Sequence, residues 1–325
     1  MSITLLIDAV RDAVTLCRTI QAQAVQGINK FSQAKGSSEP VTIADYGAQA
    51  LIGRALMQHF PEDAVISEES GQQFAALVSP ERQQAVIAAL HELLKESVSV
   101  EQVVQWLDFG KERAARRVWV IDPIDGTRGF IAGRHYSICV GLLVDGQPRA
   151  GIIGCPMYAE GKGAIFYGDE GGLRRLNLQT GRDEAVRVST RQTPSEWIAL
   201  QSYEDAANGQ LDAVRVLTKA GLIDQVRVQD VDSMEKYALV ACGDADMMIR
   251  LPKAYRAPHM IWDHAAGVAL VLAGGGTATD FDGSPLDFSQ GKTLPNQGMI
   301  VSSGLMHAQL VEAARALSST PPVIV

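Results

Sequence analysis

The stretch Trp119–Thr127 reads WVIDPIDGT, and both the fold and the chemistry of the chain can be approached from it. Residues 117–121 are short, aromatic and β-branched, a pattern that predicts a buried strand ended by the following proline. Packing alone does not require two carboxylates, Asp122 and Asp125, at the end of such a strand. With the carbonyl of Ile124 between them, they form an oxygen-rich group that suits a hard divalent cation.

Two further residues complete this stretch, and an ordinary turn competes with its functional interpretation. Gly126 leaves room for a ligand to approach the backbone closely, and Thr127 adds a hydroxyl beside the expected metal. The same residues also fit an Asp-Pro-x-Asp-Gly turn with solvated carboxylates, because such residues are common in turns. From this stretch alone, both interpretations stay open.

The composition is that of an ordinary soluble globular protein. Of its 325 residues, 46% are hydrophobic and 20% are charged. This length is sufficient for one large core or two domains. Its 29 basic and 37 acidic residues give a net charge of −8, which argues against nucleic acid as a partner. A small anionic ligand remains compatible with this charge if metal ions neutralise it locally.

The expected location follows from the apolar segments and the cysteines. No uncharged stretch approaches the roughly 18 residues that a membrane span needs, and the first helix lacks a signal-peptide core. The four cysteines have no CxxC spacing and lie in apolar contexts, which is typical of reduced thiols. We therefore expect a cytoplasmic protein that does not contact a membrane, and we favour a monomer.

Hydrophobic periodicity predicts the elements in order. Helices are expected over 3–29, 42–60, two within 79–109, and over 208–220, 233–241 and 264–273. Strands are expected over 64–67, 136–144, 150–155, 163–167, 172–176, 185–188, 197–201, 225–229 and 246–249. Residues 31–39 predict a polar loop. The two-helix region 79–109 lies between two acidic strand ends and is predicted to be a mobile flap over a site, whereas the sequence assigns no role to the longer segment 71–115.

The order of these elements divides the chain near residue 190. Before it, short strands separated by glycine-containing turns predict an antiparallel meander, and after it strands and helices alternate. We expect an N-terminal α+β domain over 1–190 that carries most metal ligands. A C-terminal α/β domain over 191–325 is expected to bind substrate and to contribute Asp263, with the active site between the two.

Three more acidic residues stand at the ends of elements, and each has an ordinary structural explanation. Asp45 can be the acidic partner of Thr42 in a capping box. Glu68 can be a solvated charge after a strand, and Asp263 can be a helix N-cap. Gathered in one place, however, carboxylates repel each other unless cations hold them. With the pair in Trp119–Thr127, they predict a Mg²⁺ site whose ligands include substrate phosphate oxygens.

Other chemistries fit the sequence less well. The six histidines lack HxxxH or HxxH spacing, which argues against zinc, and there is no GxSxG motif for a serine hydrolase. The GKT at 291–293 ends like a P-loop, but Leu286 stands where its first glycine belongs. The three glycines at 274–276 follow a predicted helix, whereas a dinucleotide-binding glycine motif precedes one.

Four motifs together resemble the inositol monophosphatase superfamily of Mg²⁺-dependent, lithium-sensitive phosphatases. They occur in order as VTIAD at 41–45, SEES at 67–70, DPIDGT at 122–127 and WDHAAG at 262–267. Likeness to its 3′(2′),5′-bisphosphate nucleotidase branch comes from IGCP at 153–156, DSMEKY at 232–237, GDAD at 243–246 and RLP at 250–252. The resemblance runs from about residue 40 to residue 303. It implies an αβαβα layered sandwich, α+β and α/β in class, of the inositol monophosphatase/fructose-1,6-bisphosphatase type.

The resemblance also implies roles for the residues that match its metal motifs. About two to three Mg²⁺ ions would be held by side chains and one carbonyl, namely those of Glu68, Asp122, Asp125, Asp263 and Ile124. Asp45 and Thr127 would orient and deprotonate the attacking water. The backbone N–H groups of Gly126 and Thr127 would hold the phosphate that is cleaved, and Asp263 would also contact the substrate.

A second set of residues is implied to hold another phosphate of the substrate. Ser233, Lys236 and Arg250 match positions that grip the non-reacting phosphate in the nucleotidase branch. Without the resemblance, they also fit a capped helix and a solvated cation at a strand end. The histidine that the branch often carries near the base is missing here, although Tyr203 can stack on adenine.

The implied reaction is removal of the 3′-phosphate of 3′-phosphoadenosine 5′-phosphate, giving AMP and phosphate, with activity on the sulfated analogue also expected. Such an activity belongs to sulfur metabolism. An inositol phosphate or sugar phosphate phosphatase of the same fold is the nearest alternative. A non-catalytic protein that senses phosphorylated nucleotides is a second alternative, against which the presence of both Asp45 and Thr127 argues.

Overall fold

The structure is a computed structural model that describes residues 3–25, 32–34, 40–252 and 258–318, with side chains described except at 23–25, 32–34 and 40–42. Its α-helices are α1 (Ile7–Val25), α2 (Ile43–His59), α3 (Gly71–Leu77), α4 (Pro80–Leu94), α5 (Val100–Leu107), α6 (Thr127–Ile131), α7 (Tyr158–Gly161), α8 (Tyr203–Ala207), α9 (Asp212–Lys219), α10 (Glu235–Ala241), α11 (Ala265–Ala273) and α12 (His307–Ser318). Short 3₁₀ helices are formed by Ile3–Leu6, Pro194–Glu196 and Ile261–Asp263.

Each of the ten strands predicted from the sequence overlaps a strand of the structure, which has six further strands among its described residues. The described strands are β1 (Ser32–Ala34), β2 (Pro40–Thr42), β3 (Ala64–Ser67), β4 (Arg117–Asp125), β5 (Ser137–Val144), β6 (Gln147–Cys155), β7 (Ala164–Asp169), β8 (Gly172–Asn177), β9 (Asp183–Val186), β10 (Ile198–Ser202), β11 (Arg227–Val231), β12 (Met247–Arg250), β13 (His259–Met260), β14 (Thr277–Thr279), β15 (Thr293–Leu294) and β16 (Met299–Ser302).

The described elements stack in five layers, which confirms the predicted αβαβα sandwich. Helices α1 and α2 cover one face of the larger sheet, and α10 and α11 lie between that sheet and the smaller one. Helices α9 and α12 cover the outer face of the smaller sheet. Helix α11 is almost entirely apolar and is buried along most of its length, as expected of a helix between two sheets.

Within the described residues, the larger sheet has seven strands in the order β3-β4-β5-β6-β7-β8-β9. Only β3 and β4 pair in parallel there, and the remaining pairs are antiparallel. The predicted meander is therefore confirmed. One of its two-residue connections, between β5 and β6, uses Asp145 and Gly146, both with positive φ (52° and 72°), the backbone that a type I′ hairpin turn requires.

Strand β4 is longer than the sequence predicted. The proline was expected to end it, but the strand continues to Asp125. Opposite β5, Asp122 pairs with Cys139 and Asp125 pairs with Ser137, so one extra residue of β4 is accommodated by a bulge. Pro123 lies within this irregular part, where the ladder does not need its missing N–H.

The smaller sheet has five strands among the described residues, in the order β11-β10-β12-β16-β14. Strands β10, β11 and β12 pair in parallel, whereas β16 is antiparallel to both of its neighbours. The predicted helix over 208–220 was wrong in extent, because Gly209 has a positive φ of 75° and separates α8 from α9. The division of the chain into domains over 1–190 and 191–325 stays a prediction.

The segment 71–115, which includes the flap predicted over 79–109, packs against the body of the protein, so the prediction of a flap was wrong. It forms α3, α4 and α5, and α2 contacts both α4 and α5. Its apolar side chains Phe74, Leu90 and Trp106 are buried in the same core as those of α2. The predicted capping box at Ser99 and Gln102 is confirmed.

Three predictions concern the N-terminal part of the chain, and the described residues test only the one for 31–39. The polar segment 31–39 was expected to be a loop, but β1 within it pairs antiparallel with β2. The structure does not describe the side chain of Thr42, so its predicted capping role stays a prediction. The predicted extension of the first helix beyond residue 25 also lies outside the described residues. Among the described residues, no helix combines the length and apolarity needed to cross a bilayer.

Candidate metal and substrate site

Carboxylates from distant parts of the chain meet at the end of β4. Asp122, Asp125 and Asp263 each place one carboxylate oxygen within 4.8 Å of the others. Asp122 is buried, with 2% of its surface exposed, and Asp125 and Asp263 are partly exposed. Three acidic oxygens at this spacing match the ligand set of a hard divalent cation, which supplies the positive charge that the group lacks.

The bulge in β4 sets the directions of two of these acids. The Oδ1 of Asp122 accepts a hydrogen bond from the N–H of Ile124 at 3.1 Å, which closes a tight turn inside the strand. An extra residue in a strand reverses the regular alternation of side chains. The bulge therefore allows Asp122 and Asp125, three positions apart, to face the same point.

Glu68 and Asp45 also lie near Asp122. The strands β3 and β4 are parallel, with Ser67 opposite Ile121, so the residues that follow them leave the sheet at the same edge. Burial raises the pKa of Asp122 well above its usual range. The negative charges of neighbouring acids raise it further, in the order Glu68, Asp125, Asp263 and Asp45. The structure therefore brings together all five acids that the sequence singled out.

Asp263 occupies a different local position from the one predicted. It ends the 3₁₀ helix Ile261–Asp263, and His264 is the residue that precedes α11. The structural alternative for Asp263, that of a helix N-cap, is therefore excluded. Gly274 ends α11 as predicted.

The loop after β4 holds the two remaining predicted residues of this motif. The hydroxyl of Thr127 donates a hydrogen bond to the carbonyl of Ile124 at 3.2 Å, so the Thr127 oxygen keeps its lone pairs for another donor. Gly126 has a positive φ of 85°, and a Cβ there would lie 2.9 Å from the Cβ of Ser233. Both the backbone conformation and the lack of room for a Cβ atom therefore require glycine at position 126.

Cations adjoin the carboxylate group on the side of Ser233. Lys236 and Arg250 both lower the pKa of Asp125, although burial is stronger and leaves that pKa raised. The ammonium of Lys236 donates to the carbonyls of Val231 and Ser233 at 2.9 and 2.7 Å. Burial lowers the pKa of Lys236 to about 8. The guanidinium Nε of Arg250 is buried and has no hydrogen-bond partner among the described residues.

Ser233 is held in an unusual conformation beside the acids. Its φ is 65°, which is uncommon for a residue with a side chain. Its hydroxyl hydrogen-bonds that of Ser137 at 2.7 Å and accepts from the N–H of Glu235 at 3.2 Å. The next N–H, of Met234, donates to the Oδ2 of Asp125. Such backbone strain is commonly retained at binding sites.

Sequence reasoning missed an ion-pair group that borders the site. Arg134 donates to Asp232 at 2.8 Å and to Glu204 at 2.6 Å, and its guanidinium lies 4.3 Å from the ring centre of Tyr203. Arg128 also approaches Glu204, at 3.6 Å. The partners lie about 70 to 100 positions apart in the chain, so no local pattern could have revealed them.

Comparisons with known proteins agree with this arrangement. The sequence profile of the “Inositol monophosphatase family” matches residues 4–319. A “3′(2′),5′-bisphosphate nucleotidase” from Emericella nidulans is 32% identical over 342 residues, covering 94% of this chain and 95% of the relative. A protein of the same name from Schizosaccharomyces pombe is 31% identical over 349 residues, covering 98% and 96%.

A solved structure shows the same fold. The inositol monophosphatase from Anabaena (Nostoc) aligns with a TM-score of 0.62 at 20% identity, covering 98% of this chain and 96% of that one. The family match spans nearly the whole chain, and the relatives match over similar lengths. The chain therefore belongs to the inositol monophosphatase family.

Proposed function

We propose that this protein is a Mg²⁺-dependent 3′(2′),5′-bisphosphate nucleotidase that removes the 3′-phosphate of 3′-phosphoadenosine 5′-phosphate. The observation that carries the proposal is the contact between two oppositely charged groups. The carboxylates around Asp122 suit metal ions, and Lys236 and Arg250 beside them suit an anion. A substrate with two phosphates supplies one anion for each group.

The donor set fits Mg²⁺ on chemical grounds. The ligands are carboxylate oxygens with one backbone carbonyl, that of Ile124, and Mg²⁺ prefers oxygen. Burial and mutual repulsion raise the pKa of Asp122, and a cation relieves both effects. Glu68, Asp122, Asp125, Asp263 and the Ile124 carbonyl would hold about two to three ions. When bound, these ions would lower the pKa of a water and offset charge on the phosphate.

Residues of the chain have separate roles in the proposed reaction. Asp45 accepts a proton from the attacking water, and the Thr127 oxygen, fixed by its bond to Ile124, orients that water. The water oxygen forms the new bond to phosphorus as the bond to the 3′ oxygen breaks. The 3′ oxygen takes up a proton and leaves as the hydroxyl of AMP.

The second phosphate is held away from the reacting one. Within the part of the chain that the structure describes, the buried Nε of Arg250 lacks a partner, and an unpaired buried donor costs free energy that an anionic oxygen would recover. Two of the three N–H donors of Lys236 reach carbonyls, which leaves the third for the phosphate. The Ser233 hydroxyl completes this group, and the N–H groups of Gly126 and Thr127 hold the phosphate that is cleaved.

The names of the relatives support this substrate class, because the Emericella and Schizosaccharomyces proteins are 3′(2′),5′-bisphosphate nucleotidases. Activity on the sulfated analogue, inhibition by Li⁺ and a role in sulfur metabolism belong to the same proposal. On the base side, we propose that Tyr203 stacks on adenine with the ring face opposite Arg134.

A substrate panel tests the proposal. The purified protein is assayed with Mg²⁺ against 3′-phosphoadenosine 5′-phosphate, its sulfated analogue, adenosine 3′-monophosphate and inositol 1-phosphate. We expect the highest kcat/KM for the two bisphosphorylated nucleotides, and loss of activity with chelator. A clear preference for inositol 1-phosphate would instead support the inositol phosphatase alternative.

A further inference from the structure

The backbone of Glu69 is held by two side chains from other elements. Gln49 accepts a hydrogen bond from the Glu69 N–H and donates one to the Glu69 carbonyl, both at 2.8 Å. The ammonium of Lys111 donates to the same carbonyl. We call Gln49 and Lys111 the Glu69 bracket.

The bracket begins where the sheet stops supporting the chain. Strand β3 ends at Ser67, and the N–H of Glu68 makes the last sheet-like bond, to the carbonyl of Ile121 at 3.2 Å. Beyond this point the chain needs other partners for its buried polar groups. Gln49 supplies both a donor and an acceptor to one residue, which fixes the direction of the chain immediately after Glu68.

Gln49 also ties this strand end to the helix that carries Asp45. The two residues lie four positions apart on α2 and therefore on the same face of the helix. Gln49 is 1% exposed, although glutamine is usually a surface residue. It makes a further bond to the carbonyl of Leu107 at 3.3 Å, which joins α5 to the same point.

Lys111 extends the bracket into the segment 71–115. Its ammonium lies 3.4 Å from the carboxylate of Asp108, and that carboxylate accepts the N–H of Gly71 at 2.8 Å. The beginning of α3, the end of α5 and the loop before β4 are thereby connected beside Glu69. These contacts attach the segment 71–115 to the chain directly after Glu68.

We propose that Gln49 and Lys111 are positioning residues that set the Glu68 carboxylate for divalent-cation binding. The inference rests on the proposed metal site and deepens it. Neither side chain is assigned as a ligand. Each acts through the backbone of Glu69, and Gln49 additionally keeps Glu68 at a fixed distance from the helix of Asp45.

Mg²⁺ binding to the full-length protein, measured by calorimetry without substrate, tests this inference. Gln49→Met and Lys111→Met remove the bracket with little change in side-chain length, and Lys111→Arg restores a cationic donor. The control is Gln83→Met. The side-chain amide of Gln83, on α4, donates to the carbonyls of Phe74, Ala75 and Val78 in α3 and at its C-terminal end. Like Gln49, it therefore holds the backbone of another element, but away from Glu69.

We expect Gln49→Met to raise the Mg²⁺ dissociation constant about tenfold or more, as changes behind a metal ligand commonly do. Lys111→Met should raise it by a smaller factor, and Lys111→Arg should recover most of the loss. Gln83→Met should lower the melting temperature while leaving the dissociation constant unchanged.

Two results overturn the inference in distinguishable ways. If the unmodified protein binds Mg²⁺ and Lys111→Met and Gln49→Met bind it equally well, the bracket has no positioning role and the metal site stands. If the unmodified protein binds no Mg²⁺, the metal site itself is refuted together with this inference. Should Gln49→Met fail to fold, the partly exposed Lys111 variants decide the question.

Discussion

Lys236 lies where the carboxylates meet the cationic part of the site. Burial destabilises its charge, and the nearby Asp125 carboxylate stabilises it, with burial the larger effect. Its bonds to the carbonyls of Val231 and Ser233 fix the ammonium without neutralising it. A fixed and poorly solvated ammonium binds phosphate more strongly than one in water, because less hydration has to be removed.

We expect Lys236→Met to raise KM for 3′-phosphoadenosine 5′-phosphate by about tenfold or more, since a hydrogen bond to a charged group is worth about 1.5–3 kcal/mol. The kcat should change much less, because the second phosphate does not react. The control is the same variant with adenosine 3′-monophosphate, whose KM should stay near that of the unmodified protein. An equal rise for both substrates would contradict the assignment of Lys236 to the second phosphate.

Asp45→Asn addresses the proposed proton acceptor. The change preserves shape in a side chain that is 2% exposed and removes one negative charge from a repelling group, so folding should be retained. The kcat should fall by about 10²–10⁴-fold, as is typical for loss of a general base, while substrate binding measured by calorimetry persists. Retained hydrolysis would remove Asp45 from the proposed mechanism.

The acids of the site were predictable one residue at a time, but their supporting residues were not. Glu68 directly follows β3 and Asp122 directly follows the apolar part of β4, and the parallel pairing of these strands places both acids at the same end of the sheet. Arg134 looks like any surface cation in the sequence, yet it pairs with Asp232 and Glu204. Gln49 likewise has no local signal, because its partner Glu69 is set by tertiary packing.

At the scale of elements, regular periodicity was read correctly and irregular backbone was not. The meander and the buried α11 follow from alternation and from continuous apolar residues. The bulge in β4 could not be predicted, because a proline in a strand usually signals its end. The acidic content of that segment, rather than its strand propensity, was the better indicator of its role.

The contact between α10 and α11 depends on one glycine. A Cβ at Gly267 would lie 2.3 Å from the ring of Tyr237, whose hydroxyl is fixed by a 2.7 Å hydrogen bond to His264. We expect Gly267→Ala to lower the free energy of unfolding by about 1–3 kcal/mol through overpacking. The measurement is the urea midpoint.

The control for Gly267 is Gly47, another buried glycine inside a helix. A Cβ at Gly47 would meet only the flexible end of Leu16, at 3.0 and 3.1 Å. Alanine there also gains about 0.5–1 kcal/mol of helix propensity, so Gly47→Ala should leave the urea midpoint unchanged or raise it. Equal destabilisation by both changes would show that the ring of Tyr237 is not the cause.

An ion pair joins the loop before β5 to the first turn of α10. His135 Nδ1 lies 2.8 Å from the Oε2 of the buried Glu235, and this hydrogen bond raises the pKa of His135. A raised pKa stabilises the folded state fully below the unfolded-state value of about 6.5. That contribution is lost as pH rises through the higher folded-state pKa.

We therefore expect His135→Gln to lower the melting temperature more at about pH 5.5 than at about pH 9. Melting curves of both proteins across this range provide the measurement. A difference in melting temperature that is constant with pH would show that the pair is not charged.

At the scale of the whole molecule, the carboxylates oppose folding unless cations are present. Mg²⁺ at about 100 times its dissociation constant should stabilise the protein by about 2.7 kcal/mol and raise the melting temperature. Asp122→Asn removes one of the two most buried of these charges, since Asp122 and Asp45 are each 2% exposed. That variant should melt above the unmodified protein in chelator and should gain little from Mg²⁺. An unmodified protein whose melting temperature ignores Mg²⁺ would contradict the metal site.

The five-layer architecture was predicted through the family resemblance, whereas composition alone bounded only size and solubility. The order of strands and helices distinguished the antiparallel meander from the α/β part of the chain. The stacking of the layers was implied by the four short family motifs. The packing of α3, α4 and α5 could not be anticipated, because polar and apolar residues in that segment fit a cover as well as a core.

The position of α11 between the sheets has a consequence for synthesis on the ribosome. Asp125 emerges with the larger sheet, but Asp263 and α11 follow about 140 residues later, which takes about 10 s or more at typical elongation rates. During this interval one face of the larger sheet lacks its covering helix, and the cation site is incomplete. If the proposed metal site is correct, we therefore expect metal loading to follow the synthesis and docking of α11.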